Sequence, residues 1–353
     1  MTLVLCLVLA ACAATAQFLE TTVRLPDSMH PIKLCYNDIS NKLYCLGEWG
    51  DIAIVDGVNN SVLATVPAGE DPRALCFNPA HNRVYCANAG SDDVTVIDGK
   101  TDEVVATVPV GEHPASLCYC PGGNRIFCSN LASHTVAVIN GATDSVEAMI
   151  PVGKRPTVLC CNPQTHNVYC SSYHDSTVRV IDGATDNVMT CINAGQGTAP
   201  LCCNSTGNKV YAVNRSNGNV TVIDCARGAV LATLPTGGTP SALCYDSCGD
   251  NVYCANARTD NVTVIDGATN KIIAMMLTGD GPCELLCTPT HHRVYCANER
   301  GDDVTVIDGR TYGPMRTIDV GERPVALASN KTRGRVYVAN SDDCSISVIN
   351  DSP

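Results

Sequence analysis

Thiols are unusually abundant in this sequence, with 23 cysteines among 353 residues. A thiol can ligate metal, exchange disulfides or simply pack as a small hydrophobe, and spacing separates these roles. No C-x-x-C-H for covalent haem occurs, and no paired C-x-x-C for zinc. The cysteines instead recur at fixed places. Cys35, Cys76, Cys118, Cys160, Cys202 and Cys244 share one slot, and Cys45, Cys86, Cys128, Cys170, Cys254 and Cys296 share a second. Cys161, Cys203 and Cys287 take a slot held elsewhere by Tyr36, Phe77, Tyr119 and Tyr245, so the two Cys-Cys pairs are neighbouring core slots, not a redox motif. Cys120, Cys191, Cys225, Cys248, Cys283 and Cys344 fall off the pattern, and Cys6 and Cys12 precede it. Two readings of the patterned thiols stay open. A hairpin symmetric about residue 81 would set Cys76 opposite Cys86, close enough for a cross-strand disulfide if the geometry permits. Val338 and Ala328 fill the same slots elsewhere, which favours small buried hydrophobes.

The other reactive side chains read as structural. An aspartate in the tetrapeptide VIDG recurs, and it could suggest catalysis or calcium. An Asp opening a tight turn accepts hydrogen bonds from the backbone two residues on, which explains it more simply. The Asn of "CAN" (Asn88, Asn130, Asn214, Asn256, Asn298, Asn340) is expected to take a positive φ where a strand ends. The eight histidines are scattered. His291 and His292 are neighbours, in what reads as a hairpin turn. There is no G-x-S-x-G, H-E-x-x-H or phosphate-binding glycine loop. No catalytic residues, metal ligands or cofactor are assigned.

What positions these residues is a repeat. The Asp/Asn of VIDG falls at 56, 98, 140, 182, 224, 266, 308 and 350, a step of 42 each time. A ring residue keeps the same beat at Tyr44, Tyr85, Phe127, Tyr169, Tyr211, Tyr253, Tyr295 and Tyr337, apart from a first step of 41. Inside one repeat, "RALCFN", "RVYCAN", "DVTVID" and "EVVATVPV" are rich in Val, Ile, Thr and Tyr and are separated by turn formers. Four short strands per unit of about 40 residues define a β-propeller blade. The strands are expected to be apolar on both faces, each blade lying between two others. The first three strand types occur eight times but the fourth follows only seven times, because the chain stops soon after Asn350. "TTVRLP", Thr21–Pro26, supplies the missing one. The fold is therefore expected to be all-β: an eight-bladed propeller of four-stranded antiparallel blades, over residues 17–353, closed by its N-terminal strand, which removes exposed edges.

At "VYCAN…VTVIDGATN…ATVPVG" the chain resembles the YVTN-repeat β-propellers of exported bacterial proteins and archaeal surface layers. The resemblance covers nearly everything after the leader and implies architecture more than activity; seven blades are common in that family, so eight is a departure. Related propellers include quinoprotein and haem enzymes, so fold alone does not exclude chemistry. A single Trp argues against tryptophan-docked quinoprotein propellers.

Composition narrows the partners. The net charge is −12, with no run of Lys and Arg, so nucleic acid is not expected. Residues 1–16 read as a signal peptide, uncharged, with an apolar run too short to span a bilayer and an A-x-A site at Ala14-Thr15-Ala16. Leu9-Ala10-Ala11-Cys12 also resembles a lipoprotein box, which would lipidate Cys12 and provide an anchor. No transmembrane segment is expected. The expected location is extracytoplasmic: periplasmic, secreted or surface-anchored.

In a propeller the loops from fourth to first strand and from second to third share one face around the axis. Side chains that vary there are free of the fold's demands. The candidate recognition residues are Trp49, Tyr173, Glu112, His113, Lys154, Arg155, Asp280 and Arg323. Their mixed charge suits a polar ligand or a protein partner. The expected function is a non-catalytic binding scaffold. The alternatives are a structural envelope or surface-layer component, and a propeller enzyme or cofactor carrier.

Overall fold

The computed structural model describes residues 17–352. Residues 1–16, where a signal peptide, its A-x-A site and a lipidated Cys12 are expected, lie outside the described residues. Thirty-two strands, β1 to β32 in chain order, form eight four-stranded antiparallel sheets. In the second blade these are β6 (Pro72–Asn78), β7 (Arg83–Asn88), β8 (Asp93–Asp98) and β9 (Val104–Pro109), close to the strands expected from the repeat. Seven blades run in sequence order. The eighth joins β30 (Pro324–Asn330), β31 (Arg335–Asn340) and β32 (Ser345–Asn350) to β1 (Phe18–Arg24), in the order β1-β32-β31-β30. The closing strand starts and ends earlier than the Thr21–Pro26 expected. Its pairing runs from Phe18 opposite Asn350 to Arg24 opposite Ser345, with a bulge between Leu19 and Thr21.

Burial falls from the middle of each blade to its edge. In β7 and β8 nearly every residue is buried, as the doubly apolar pattern requires. The fourth strands depart from that expectation: Val62, Leu63, Val104, Val105, Val230 and Leu231 are exposed. The circumference of a ring grows with radius, so radially set blades part at the perimeter, and the outermost strand has solvent where inner strands have a neighbour.

Alternate residues of a strand face opposite sides of the sheet. Here the two sides belong to different seams. Cys76, Tyr85, Val94 and Val96 pack toward the third blade with Leu117, Ile126 and Cys128. Leu75, Phe77, Val84 and Cys86 pack toward the first blade with Tyr44, Leu46 and Ile54. This decides the cysteine question. The β6–β7 hairpin pairs Asn78 with Arg83, so Cys76 stands opposite Tyr85 and Cys86 opposite Leu75. The assumed symmetry about residue 81 is half a residue off. Cys76 and Cys86 therefore project from opposite faces and cannot bond. The same offset separates Cys35 from Cys45, Cys118 from Cys128, Cys160 from Cys170 and Cys244 from Cys254. All described cysteines are free thiols. Burial pushes Cys35, Cys170 and Cys254 up to about 12.

The recurring ring residue is fully buried in every blade. In several blades its hydroxyl reaches across the seam: Tyr85 donates to Asp144 (2.6 Å) and Tyr295 to Asp351 (2.6 Å), whereas Phe127 has no hydroxyl and the Tyr169 hydroxyl has no partner among the described residues. A basic residue two positions earlier joins the same acceptor, as Arg83 does with Asp144 and Arg293 with Asp351 (2.9 Å). The VIDG aspartates are turn formers. Asp98 Oδ1 accepts from the amides of Lys100 (2.8 Å) and Thr101 (3.1 Å), and Asp56, Asp182, Asp224 and Asp308 do likewise.

The Asn of "CAN" behaves differently from expectation. None of the six has positive φ. Each is buried, and its side chain clamps the next strand: Asn88 donates to Asp93 (2.7 Å) and Thr95 (2.9 Å), and Asn256 to Asn261 (2.8 Å) and Thr263 (3.0 Å). Positive φ falls instead on loop residues such as Asp92, His134 and Ser176.

Candidate functional site

The two loop sets expected to share a face do so, and hydrogen bonds tie them together. The amides of Leu131 and Ala132 donate to the carbonyls of His113 and Glu112, and those of Glu299 and Arg300 to Gly281 and Asp280. His113, Arg155 and Arg323 sit at positive φ (58°, 54° and 56°), which non-glycine residues seldom adopt. Their amides are held from the preceding loop, by Asp92 (2.8 Å) for His113, His134 Nδ1 (3.2 Å) for Arg155 and Asp302 (2.8 Å) for Arg323. The side chains of this face are thus carried on tightly specified backbone.

The face divides into three zones. Around blades seven and eight the charges neutralise one another. Asp280 is held by Arg300 (2.6 Å), which also touches Asp260 (3.3 Å). Arg323 spans Glu299 (3.0 Å) and Asp342 (3.4 Å). Across blades three and four, His134, Lys154, Arg155, His174 and Asp175 border one recess, and His113, Leu131, Ala132, His134 and Arg155 border the next. Lys154 and Arg155 enter no side-chain ion pair among the described residues, since Asp175 is engaged by Arg179 (3.7 Å) and by the Lys154 amide (2.7 Å). Cationic charge is therefore available here and not near Arg323.

The third zone is the axial funnel, about 540 Å³, reached past Tyr173 and Arg215 and walled by first-strand residues including Thr157, Pro200, Ser241, Cys283 and Val325. Among its wall residues Lys33 of the first blade meets Glu284 of the seventh at 4.0 Å. The channel walls strip water from the Glu284 carboxyl and raise it above the usual carboxylate range, with Lys33 and the Leu285 amide opposing. Burial, with Glu284 alongside, pushes the Cys283 thiol up to about 12.

Trp49 and Tyr173 both lie on this face, 72% and 42% exposed, but the structure does not bring them together. Tyr173 stands at the funnel, edge-on to His174. Trp49 heads a separate groove with Gly50, Glu70 and Ser91 that descends the outside of the ring toward Val104. Sequence reasoning missed Lys33 and Glu284. Their slot in the repeat holds Ala74, Ser116, Val158, Pro200, Ala242 and Ala326 elsewhere, so two charged residues among small ones were a visible signal.

An eight-bladed propeller can serve binding or catalysis, and the fold alone does not decide between them. Residues 113–351 match the family model described as YNCE-like beta-propeller, more than half of the chain, and the protein belongs to that family. Among solved structures it is similar to a chain of Kuenenia stuttgartiensis hydrazine synthase, at 18% identity and a TM-score of 0.63, covering 79% of this chain and 95% of that one. At that identity the likeness concerns the fold. No curated protein matches the chain significantly.

Proposed function

We propose that the protein is an exported, non-catalytic binding scaffold that engages a polar ligand or a protein partner through its loop face. The observation that carries this reading is the placement of Tyr173, Lys154 and Arg155. An exposed ring at the mouth of an axial funnel shares a face with two cations that have no ion-pair partner among the described residues, on loops the repeat leaves free to vary. An aromatic anchor beside unpaired positive charge is suited to a partner presenting a carboxylate or similar anionic group. The 42-residue period and the "VYCAN…VTVIDG" signature support a YVTN-type repeat, and the apolar leader supports export.

The test is affinity capture on residues 17–353, comparing the parent with one variant of each face. A partner should bind the parent and His81→Ala on the opposite face equally. Tyr173→Ala and Arg155→Ala should each weaken it about tenfold or more, and Trp49→Ala likewise if the partner reaches the outer groove. All variants should melt like the parent, since none of these side chains is in the core. Loss of capture in His81→Ala with Tyr173→Ala silent would place recognition on the wrong face.

A further inference from the structure

On the face opposite the loops, four of the eight seams carry a side-chain latch from one blade to the next. The residue ending the first strand of one blade reaches the positive-φ turn residue of its neighbour. Asn37 donates to Asn82 (2.7 Å), Asn162 to Asn208 (2.7 Å) and Asn204 to Asp250 (2.8 Å). Between blades six and seven these two slots hold Asp246 and His292. A carboxylate has no N–H to donate, so the latch cannot form in its usual way. Asp246 Oδ1 accepts the Cys248 amide (3.0 Å), but Oδ2 is buried with no hydrogen-bond partner, in a residue only 2% exposed. His292 Nδ1 faces Oδ2 from 3.9 Å. The turn position two residues on, Ala80 or Thr206 elsewhere, holds Cys248.

We propose that Asp246, His292 and Cys248 form a zinc-class divalent metal site stapling blade six to blade seven. A carboxylate oxygen of Asp246, a His292 ring nitrogen and Cys248 Sγ all lie within 4.8 Å of one another. Tetrahedral zinc, with oxygen and nitrogen at about 2.0–2.1 Å and sulfur at about 2.3 Å, requires ligand spacings of roughly 3.3–3.7 Å. Cys248 is exposed and His292 partly so, and small rotations of these two close the difference, while Asp246 stays fixed by its turn. The mixed carboxylate, imidazole and thiolate set selects zinc, cobalt or nickel over calcium and magnesium, which prefer all-oxygen shells. Three protein ligands leave a fourth position to water on the exposed Cys248 side. His291 is not part of the site: its Nδ1 is turned to Asp351 (3.2 Å). The adjacent histidines therefore serve two different seams.

The experiment uses the described chain, reduced and stripped by chelator. Calorimetric titration with zinc should give one saturable site per chain, with magnesium and calcium giving none. Cobalt(II) should give a thiolate charge-transfer band. Cys248→Ser should abolish that band, and Asp246→Asn and His292→Asn should each lower zinc affinity about tenfold or more. Combined in one chain, the two asparagine substitutions recreate the pair found at Asn37 and Asn82, so the double variant should fold and melt at least as high as the metal-free parent. Absence of a saturable zinc site would overturn the proposal. So would zinc binding unchanged in Asp246→Asn, or a cobalt band that survives in Cys248→Ser.

Discussion

Glu284 is a carboxylate placed where charge is costly, and its consequence is measurable. Its folded value lies above the ordinary 4.5, because desolvation outweighs Lys33. A carboxyl raised on folding holds its proton more tightly in the native state. The stability it contributes is present below the ordinary carboxylate range and is lost as pH rises through the raised value. Glu284→Gln keeps the shape without the charge. It should melt with the parent in acid and above it at neutral pH, and thermal melts across that window check this. A variant equal in acid but less stable at neutrality would mean that the Lys33 pair wins. Trp49 and Tyr173 were legible in the sequence because their loops carry nothing of the repeat. The Lys33–Glu284 pair was not, because it joins residues 251 positions apart whose meeting depends on ring closure. The "CAN" asparagines were read from local conformational preference, but tertiary hydrogen bonding to the next strand determines them.

At the scale of strands, a half-residue error in the hairpin centre moves every cysteine partner to the other face. The strands themselves were nearly all legible from alternation and turn residues. Register was not, because the turn after Asn78 admits more than one pairing, and Asn82 resolves it by taking φ of 52°. The thiols that do meet are across seams. Where Cys161, Cys203 and Cys287 replace an aromatic residue, they pack beside Cys120, Cys160 and Cys244 of the preceding blade. Alkylation of the native protein should be slow at thiols that burial raises, such as Cys45, Cys86 and Cys128, because little thiolate is present, and complete on denaturation without reductant. Any disulfide formed under forced oxidation should map to Cys160–Cys203 or its counterparts. Peptide mapping that recovered Cys76–Cys86 or Cys35–Cys45 would contradict the register.

For the whole molecule, the ring depends on one strand from the far end of the chain. β1 satisfies the outer edge of β32, and Val23 and Leu25 are buried in the core between the last and first blades. Arg24 pairs with Asp343 (2.7 Å), Glu20 with Arg335, and the Leu25 amide donates to the Cys344 carbonyl (3.0 Å). The sequence revealed this closure by counting strand types, since a fourth strand was missing at one end and present at the other. Deleting residues 17–27 should cost roughly 3–6 kcal/mol from Val23 and Leu25 alone, at about 1.5–3 kcal/mol for each buried side chain. It also leaves Ser345–Asn350 as an unpaired edge, a template for another chain. The truncated protein should melt well below the parent and associate as concentration rises, which light scattering after size exclusion will show. A synthetic peptide of residues 17–27 should restore both properties when added in excess, because it refills the edge without altering the rest of the ring. A truncated protein that stays monomeric and melts with the parent would show that seven complete blades and three strands close without β1. Failure of the peptide to bind a destabilised, associating ring would instead assign the loss to chain connectivity between β1 and the first blade.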